Sequence, residues 1–504
     1  MSKDTARVFE EVCRHARRTA VMASIHEFLG WDERTMLPPG GAEHRAEQST
    51  LLAGMIHQRW VDYKFGEQLD GLAADSADND DSDAAVIVRR LKRQRDKRVK
   101  LPQSLVEELS RTAVMGQQAW QEARNGDDFA MFQPLLERTL ELKRQQAEAL
   151  GYPQCPYDAL LDEFEPEELT ANVGPVLENL RAELVPLVTS IEQSGRKPDC
   201  SILHRDYPVE AQDRFVREAA AAIGFDFRRG RLDVTAHPFC CSLGPGDCRI
   251  TTRYYPDFFN AAFFGVLHEA GHGIYEQGLP AEQYGLPLGE FVSLGIHESQ
   301  SRLWENFVGR NREFWTCFFP KAREYFPAAL GDVSADDFFF AINESRPSLI
   351  RVEADEATYN LHILIRFELE RAMLDGQLDA ADLPDAWNEK YRQYLGITPP
   401  TNREGVLQDV HWSAGLIGYF PTYSLGNLYA AQFFAQAESE LGNLANSFAK
   451  GDFQPLREWL REKIHRHGQR FTAAELVETI TGRGLSAQPL LDHLRGKYRL
   501  LYQL

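Results

Sequence analysis

A mainly α-helical protein with one small antiparallel β element is what this sequence predicts, on three observations. Apolar residues recur at three- and four-residue intervals from about residue 5 to residue 230, the spacing that lines one face of an α-helix. The same texture returns at Asp257 and runs on to the last residues. Between about Arg231 and Tyr255 it gives way to RLDVTAHPFCCSLGPGDCRITTRYY, where β-favouring residues surround Gly244-Pro245-Gly246. That segment reads as a hairpin or small antiparallel sheet.

In chain order, LLAGMIHQRW and FQPLLERTLELKRQQAEAL carry the helical spacing most clearly. Asp75 to Asp83, acidic and serine-containing, reads as an exposed loop. The basic stretch Arg89 to Lys100 that follows reads as the solvated face of a helix, closed by Leu101-Pro102. Past the β segment, helical runs are expected to break near Pro320, Pro347, Pro384 and Pro399-Pro400. No internal repeat is found.

The 504 residues, 43% hydrophobic and 26% charged, are ordinary globular material with ample length for a large core. A net charge of -20 repels nucleic acid and anionic membrane surfaces alike. The opening MSKDTARVFEEVCRHARR lacks the apolar stretch of a secretory signal, and no run of about eighteen uncharged apolar residues offers a membrane span. Seven scattered cysteines suit a reducing compartment, so a cytoplasmic location is expected. Cys240, Cys241 and Cys248 cluster without the C-x-x-C spacing of a structural zinc site and read as free thiols.

The most informative segment follows the β element: DFFNAAFFGVLHEAGHGIYEQGL, a strongly apolar helix containing His268-Glu269-Ala270-Gly271-His272. On a helix the two histidines are about 40° apart around the axis and about 6 Å apart along it, so both imidazoles can reach one ion. Zinc suits two imidazoles and a carboxylate with one position left for water, and Glu269 can accept a proton from that water. With 14 histidines in the chain, a chance match to this pattern in a helical context is rare. A third ligand is sought downstream in Gly295-Ile-His-Glu-Ser-Gln-Ser-Arg-Leu-Trp304. Glu298 and His297 both qualify there, but point about 100° apart, so only one can face the metal.

Ordered motifs extend the pattern: His237-Pro-Phe239, Asp247-Cys-Arg-Ile-Thr251, His268-Glu-Ala-Gly-His272, His297-Glu-Ser-Gln300, Ile350-Arg-Val-Glu-Ala-Asp355 and Gly405-Val-Leu-Gln-Asp-Val-His-Trp412. With Trp31-Asp-Glu-Arg-Thr-Met-Leu-Pro38 and Ile464-His-Arg-His-Gly468, they resemble the carboxypeptidase Taq family of metallocarboxypeptidases over almost the whole chain. The resemblance implies a large helical metallopeptidase fold with a deep active-site groove. It implies one unit spanning residues 1–504, with helices in residues 1–100 forming part of the groove wall or lid. It further implies one Zn2+ per chain, or Co2+, removal of C-terminal residues from peptides with broad preference, and a homodimer. It favours Glu298 as the third ligand, leaving His297 as an outer-shell partner.

Peptide hydrolysis develops an oxyanion that needs a donor. His411 and Tyr423, placed in the same order as a His and a Tyr of related helical zinc peptidases such as angiotensin-converting enzyme, are assigned to it. A terminal carboxylate calls for a guanidinium: Arg351 first, with Arg249 and Arg253 as alternatives. Each could instead pair with an acid such as Asp355 or Asp247. Asp355, Gln408 and Asp409 are assigned to hold the ligand imidazoles in register, and the hairpin could lend a strand edge to substrate.

An oligopeptidase or endopeptidase with the same metal chemistry is the nearest alternative. A helical di-iron protein could use Glu269-Ala-Gly-His272 with Glu462-Lys-Ile-His465, but that leaves His268 without a role and sets Glu462 among basic residues. A non-catalytic peptide-binding relative is at odds with the intact Glu269.

Overall fold

The computed structural model describes residues 2–75 and 81–504. Helices dominate, from a long first helix, Lys3–Thr35, to a last one, Gln488–Tyr502. The predicted loop from Asp75 to Asp83 falls partly on residues 76–80, which lie outside the described ones.

Most buried apolar side chains join one core running in sequence from Ala123 to Tyr502. A satellite cluster forms beneath the N-terminal helices, where Val12, Ala16, Phe65, Leu69 and Val86 to Val88 close on Leu286 and Leu288. The basic helix, Asp83–Lys100, is not simply solvated. Lys92 pairs with Asp70, Arg93 and Lys97 with Asp162, and Arg90 with Glu167, so its charge is neutralised by neighbouring elements.

The β element is a three-stranded mixed sheet in the order β1 (Gly230–Val234), β3 (Cys248–Thr252), β2 (Cys240–Ser242). The expected hairpin exists as β2 and β3, with Cys241 opposite Arg249. The expectation of a purely antiparallel element is corrected by β1, which pairs parallel to β3 with Leu232 opposite Ile250. β3 takes the centre because four of its five residues are buried, whereas the edge strands are mixed. The Thr251 hydroxyl binds Phe239 twice, accepting its N–H at 2.7 Å and donating to its carbonyl at 2.9 Å, and the Thr251 N–H donates to the same carbonyl at 3.0 Å. That pairing joins the His237-Pro-Phe239 and Asp247-to-Thr251 motifs. The first helix joins them too: Arg34 lies 3.7 Å over the Phe239 ring and Arg249 4.2 Å over Trp31.

The site helix, Phe259–Gly278, is apolar around most of its girth and buried accordingly. It crosses the short helix Leu294–Arg302 at Gly271, where a Cβ would stand 2.6 Å from both the Gln300 carbonyl and Ser301 Cα. Ser293 caps that short helix, and its hydroxyl also donates to the buried Glu165. A π-helical turn, Leu303–Val308, continues it, a feature often found beside functional sites. On its other side lies the helix Pro421–Leu441, where a Cβ on Gly426 would be 2.4 Å from Glu298 Cγ.

Proline breaks hold at Pro384, which opens the helix Leu383–Leu395, and at Pro347 and Pro399-Pro400 in irregular chain. Pro320 is a correction: it lies inside the helix Arg312–Tyr325. There the burial of Phe314, Trp315, Phe318 and Phe319 outweighs the hydrogen bond that proline removes.

The close crossing sets a stability test. Gly271→Ala is expected to destabilise the protein by about 1–3 kcal/mol through overpacking against rigid backbone. Gly54→Ala, on an exposed helix with open space at its Cβ, is expected to stabilise it by up to about 1 kcal/mol. Denaturant midpoints of both variants check this; an unchanged midpoint for Gly271→Ala would contradict the crossing.

Candidate metal centre

His268 and His272 face Glu298 across the helix crossing. Their Nε2 atoms are 3.6 and 3.5 Å from Glu298 Oε2, and the three prospective ligand atoms lie within 4.8 Å of one another. Two imidazole nitrogens and one carboxylate oxygen converging on a common point fit a single divalent ion. Glu269, one residue beyond the first histidine, is 7% exposed.

His297 takes no part in this set. Its Nε2 meets Glu276 Oε1 at 3.0 Å, and its ring stacks on His272 with centroids 4.4 Å apart. It positions that imidazole by packing.

The outer support differs from the expected one. Glu305 Oε2 is 2.9 Å from His268 Nδ1, which leaves Nε2 as the nitrogen facing Glu298. The assignment of Asp355, Gln408 and Asp409 to the ligand imidazoles is corrected. Asp355 is taken by Ser345, Thr358 and the Arg346 N–H, and Gln408 by the Arg351 N–H. Asp409 accepts from Arg351 and Arg366. Glu305 was legible only as the end of a Glu298, Arg302, Glu305 stripe at i, i+4, i+7, a spacing that places all three on one helical face.

Arg302 lies between the two carboxylates, its Nε 2.7 Å from Glu298 Oε1 and its Nη1 3.2 Å from Glu305 Oε2. Burial works to raise the Glu298 carboxyl, yet Arg302, His268 and His272 hold it well below the usual carboxylate range. Burial pushes Glu269 up to about 7, with Glu298 and Glu305 adding and His268 opposing. His272 is pushed down to about 3 by burial, so it is a neutral imidazole.

The second group assembles around irregular chain. His411 Nε2 is 3.3 Å from Tyr423 Oη. The segment bearing His411 is pinned by buried Glu370, which accepts from Trp412 Nε1 at 2.8 Å and from the Gly418 N–H at 3.2 Å. Arg351 is buried and donates through Nε and Nη2 to Asp409 Oδ1, at 2.9 and 2.8 Å, and through Nη1 to Tyr359 Oη. In the ion-pair alternative for Arg351, the acid is Asp409 and not Asp355, which that alternative offered as an example. Tyr359 links both groups: Arg302 lies 4.4 Å over its ring, and Tyr423 meets it edge-on at 6.1 Å.

Arg249 is held by Asp247, as the pairing alternative expected, with both nitrogens within 2.9 Å. Arg253 is exposed and lies over Tyr255. The di-iron reading fails on geometry: Glu462 is exposed and paired with Arg466, while His465 is buried against Gln300 Oε1. Two cavities, of about 990 and 700 Å³, border the N-terminal helices rather than the two histidines and Glu298.

A helical frame that turns two imidazoles and a carboxylate toward one point, with a buried glutamate beside them, defines a metallopeptidase. The chain belongs to the carboxypeptidase Taq (M32) metallopeptidase family, whose profile matches residues 11–498. It is thus a metallocarboxypeptidase, a hydrolase acting on C-terminal residues of peptides. It is 52% identical to thermostable carboxypeptidase 1 of Thermus thermophilus, over 98% of this chain and 99% of that one. It is 40% identical to carboxypeptidase 1 of Bacillus subtilis, over 98% of each. The solved M32 carboxypeptidase of Deinococcus radiodurans superposes with a TM-score of 0.96 at 43% identity, covering 99% of this chain and all of that one. The Pyrococcus furiosus carboxypeptidase superposes at 0.95 and 35% identity, covering 99% of each.

Burial pushes His411 down to about 4, with Arg351 and Arg366 adding and Asp409 opposing. Its folded value thus lies below the ordinary 6.5, so His411 is neutral at neutral pH and disfavours the folded state as pH falls from 6.5 toward 4. Imidazole nitrogen shifts should show it taking up a proton only near pH 4; a midpoint at 6.5 would mean that burial does not control it.

Proposed function

We propose that the protein is a zinc carboxypeptidase, with cobalt able to replace zinc, in which His268, His272 and Glu298 hold one ion per chain. The observation that carries this is the convergence of the two Nε2 atoms on Glu298 Oε2. When bound, the metal supplies Lewis acidity and lowers the pKa of a water molecule toward neutrality.

The chain's own residues do the rest. Glu269 accepts a proton from the water as its oxygen bonds to the scissile carbonyl carbon, then passes that proton to the leaving amine as the C–N bond breaks. A raised carboxyl suits both halves of that exchange. Tyr423 donates its hydroxyl proton in a hydrogen bond to the developing oxyanion, and neutral His411, in contact with it, supports that donor.

Arg351 is the arginine best placed for the terminal carboxylate. It lies 5.1 Å from the Tyr423 ring, whereas Arg249 and Arg253 stand over Trp31 and Tyr255. Arg351 and Arg366 also share one acid, Asp409, a buried excess of one positive charge that a substrate carboxylate would neutralise. Broad preference for terminal residues is part of this reading, and a single unit over residues 1–504 is supported by the core that runs from Ala123 to Tyr502. The helices within residues 1–100 fit a wall or lid of the groove, since Trp31 and Arg34 pack on the β element beside the site helix.

A homodimer is supported by exposed apolar side chains on the first two helices, Val21, Ile25, Phe28, Leu51 and Met55. A cytoplasmic location is supported by seven free cysteines. Among the described residues no helix is long and apolar enough to cross a membrane.

Glu269→Gln is expected to keep its metal and to lose at least about a hundredfold in kcat, the scale of general-base removal. Metal content and peptide trimming of the same preparation test this, and retained activity would remove Glu269 from the mechanism. A peptide with an amidated C-terminus should resist cleavage while its free acid is trimmed. Efficient hydrolysis of the amide would favour the endopeptidase alternative instead.

A further inference from the structure

Arg302 is wedged between the carboxylates of Glu298 and Glu305. Its Nε donates to Glu298 Oε1 at 2.7 Å, and its Nη1 reaches Glu305 Oε2 at 3.2 Å. The guanidinium plane lies 4.4 Å over Tyr359, and Arg310 approaches the far oxygen of Glu305 at 3.8 Å. Oε2 is the oxygen of Glu298 that faces the histidines. Its other neighbour is the Ser301 hydroxyl at 3.2 Å, whose proton has a closer acceptor, the Glu298 carbonyl at 2.7 Å.

We propose that Arg302 is a positioning residue that occupies one oxygen of Glu298, so that Glu298 offers the metal a single oxygen and one coordination position stays open for reaction. This rests on the reading of His268, His272 and Glu298 as the ligands.

A free carboxylate can close on an ion with both oxygens, which would fill the position a catalytic site must keep for water or substrate. The forked, planar guanidinium prevents this because it binds a carboxylate oxygen directionally and is always charged. Its charge also draws electron density from the ligand carboxylate. The ion is then held less tightly than a free carboxylate would hold it and is a stronger Lewis acid. Its second arm also reaches Glu305, but Glu305 meets His268 Nδ1 directly at 2.9 Å and has Arg310 at 3.8 Å, so the support of His268 does not hang on Arg302 alone.

The reading separates Arg302 from a merely structural ion pair. A structural pair, once broken, would loosen the ligand and weaken metal binding. Under the proposal, Arg302→Met frees the second oxygen of Glu298, so cobalt is bound as tightly as in the wild type or more tightly. Its visible absorption weakens toward that of a higher coordination number, and kcat falls roughly 10- to 100-fold, the range for outer-shell partners. Arg302→Lys retains a charge for Oε1 and should keep the wild-type cobalt spectrum. Glu305→Gln should act in the opposite sense on affinity and weaken cobalt binding by roughly 10- to 100-fold.

Chelator competition gives the affinities and absorption spectroscopy the coordination. Infrared difference spectra of the wild-type protein with and without metal need no variant. A wide separation of the antisymmetric and symmetric carboxylate stretches, assigned by labelled glutamate and its loss in Glu298→Gln, marks one-oxygen binding. A narrow separation, or weaker cobalt binding by Arg302→Met with an unchanged spectrum, would overturn the proposal. Wild-type protein that retains no cobalt would overturn the ligand assignment on which it rests.

Discussion

The site depends on how closely two buried helices cross. At Gly271 the site helix meets Gln300 and Ser301 with no room for a side chain, and at Gly426 a third helix does the same against Glu298. Those two glycines bring a carboxylate from one helix within 4 Å of two imidazoles on another. A single methyl group at either place would press on backbone or on the stem of a ligand, which packed interiors absorb poorly.

Bringing these groups together puts several charges out of reach of water, and that cost shapes the surrounding sequence. Buried carboxylates survive as anions only where cations or donors compensate them. Glu298 and Glu305 share Arg302, and Asp409 is shared by Arg351 and Arg366. Where compensation comes from neutral donors, as at Glu165 and Glu370, burial pushes the carboxyl up to about 7. Both of those residues tie down chain that carries functional groups. Glu165 holds the start of the helix bearing Glu298 through Ser293 and the Gly295 N–H, and Glu370 holds the irregular segment bearing His411.

The N-terminal helices attach through a small core of their own and through cation–aromatic contacts with the β element. Trp31 receives Arg249, and Phe239 receives Arg34, so motifs far apart in sequence become one surface. The arginines that looked like free carboxylate binders are mostly spoken for, Arg249 by Asp247 and Arg351 by Asp409. Only Arg351 does its pairing beside Tyr423 and Tyr359, where a substrate terminus would meet an excess of positive charge.

The sequence by itself determined the features that rest on short-range periodicity. The helical character, the β2–β3 hairpin signalled by Gly244-Pro245-Gly246, and the pairing of His268 with His272 one turn apart all follow from local geometry. Ordered motifs carried the family and, through it, Glu298. Tertiary structure alone decided the rest. β1 pairs parallel to β3 because the most buried strand takes the centre, which no turn signal encodes. Pro320 stays helical because packing of its neighbours outweighs one lost hydrogen bond. Glu305, Asp409 and Tyr359 have roles that depend on which helices end up adjacent, and hydrogen bonds between residues tens of positions apart leave no periodic trace in the chain. Directional polar contacts of that kind are chosen by packing, whereas the spacing of apolar residues is written locally.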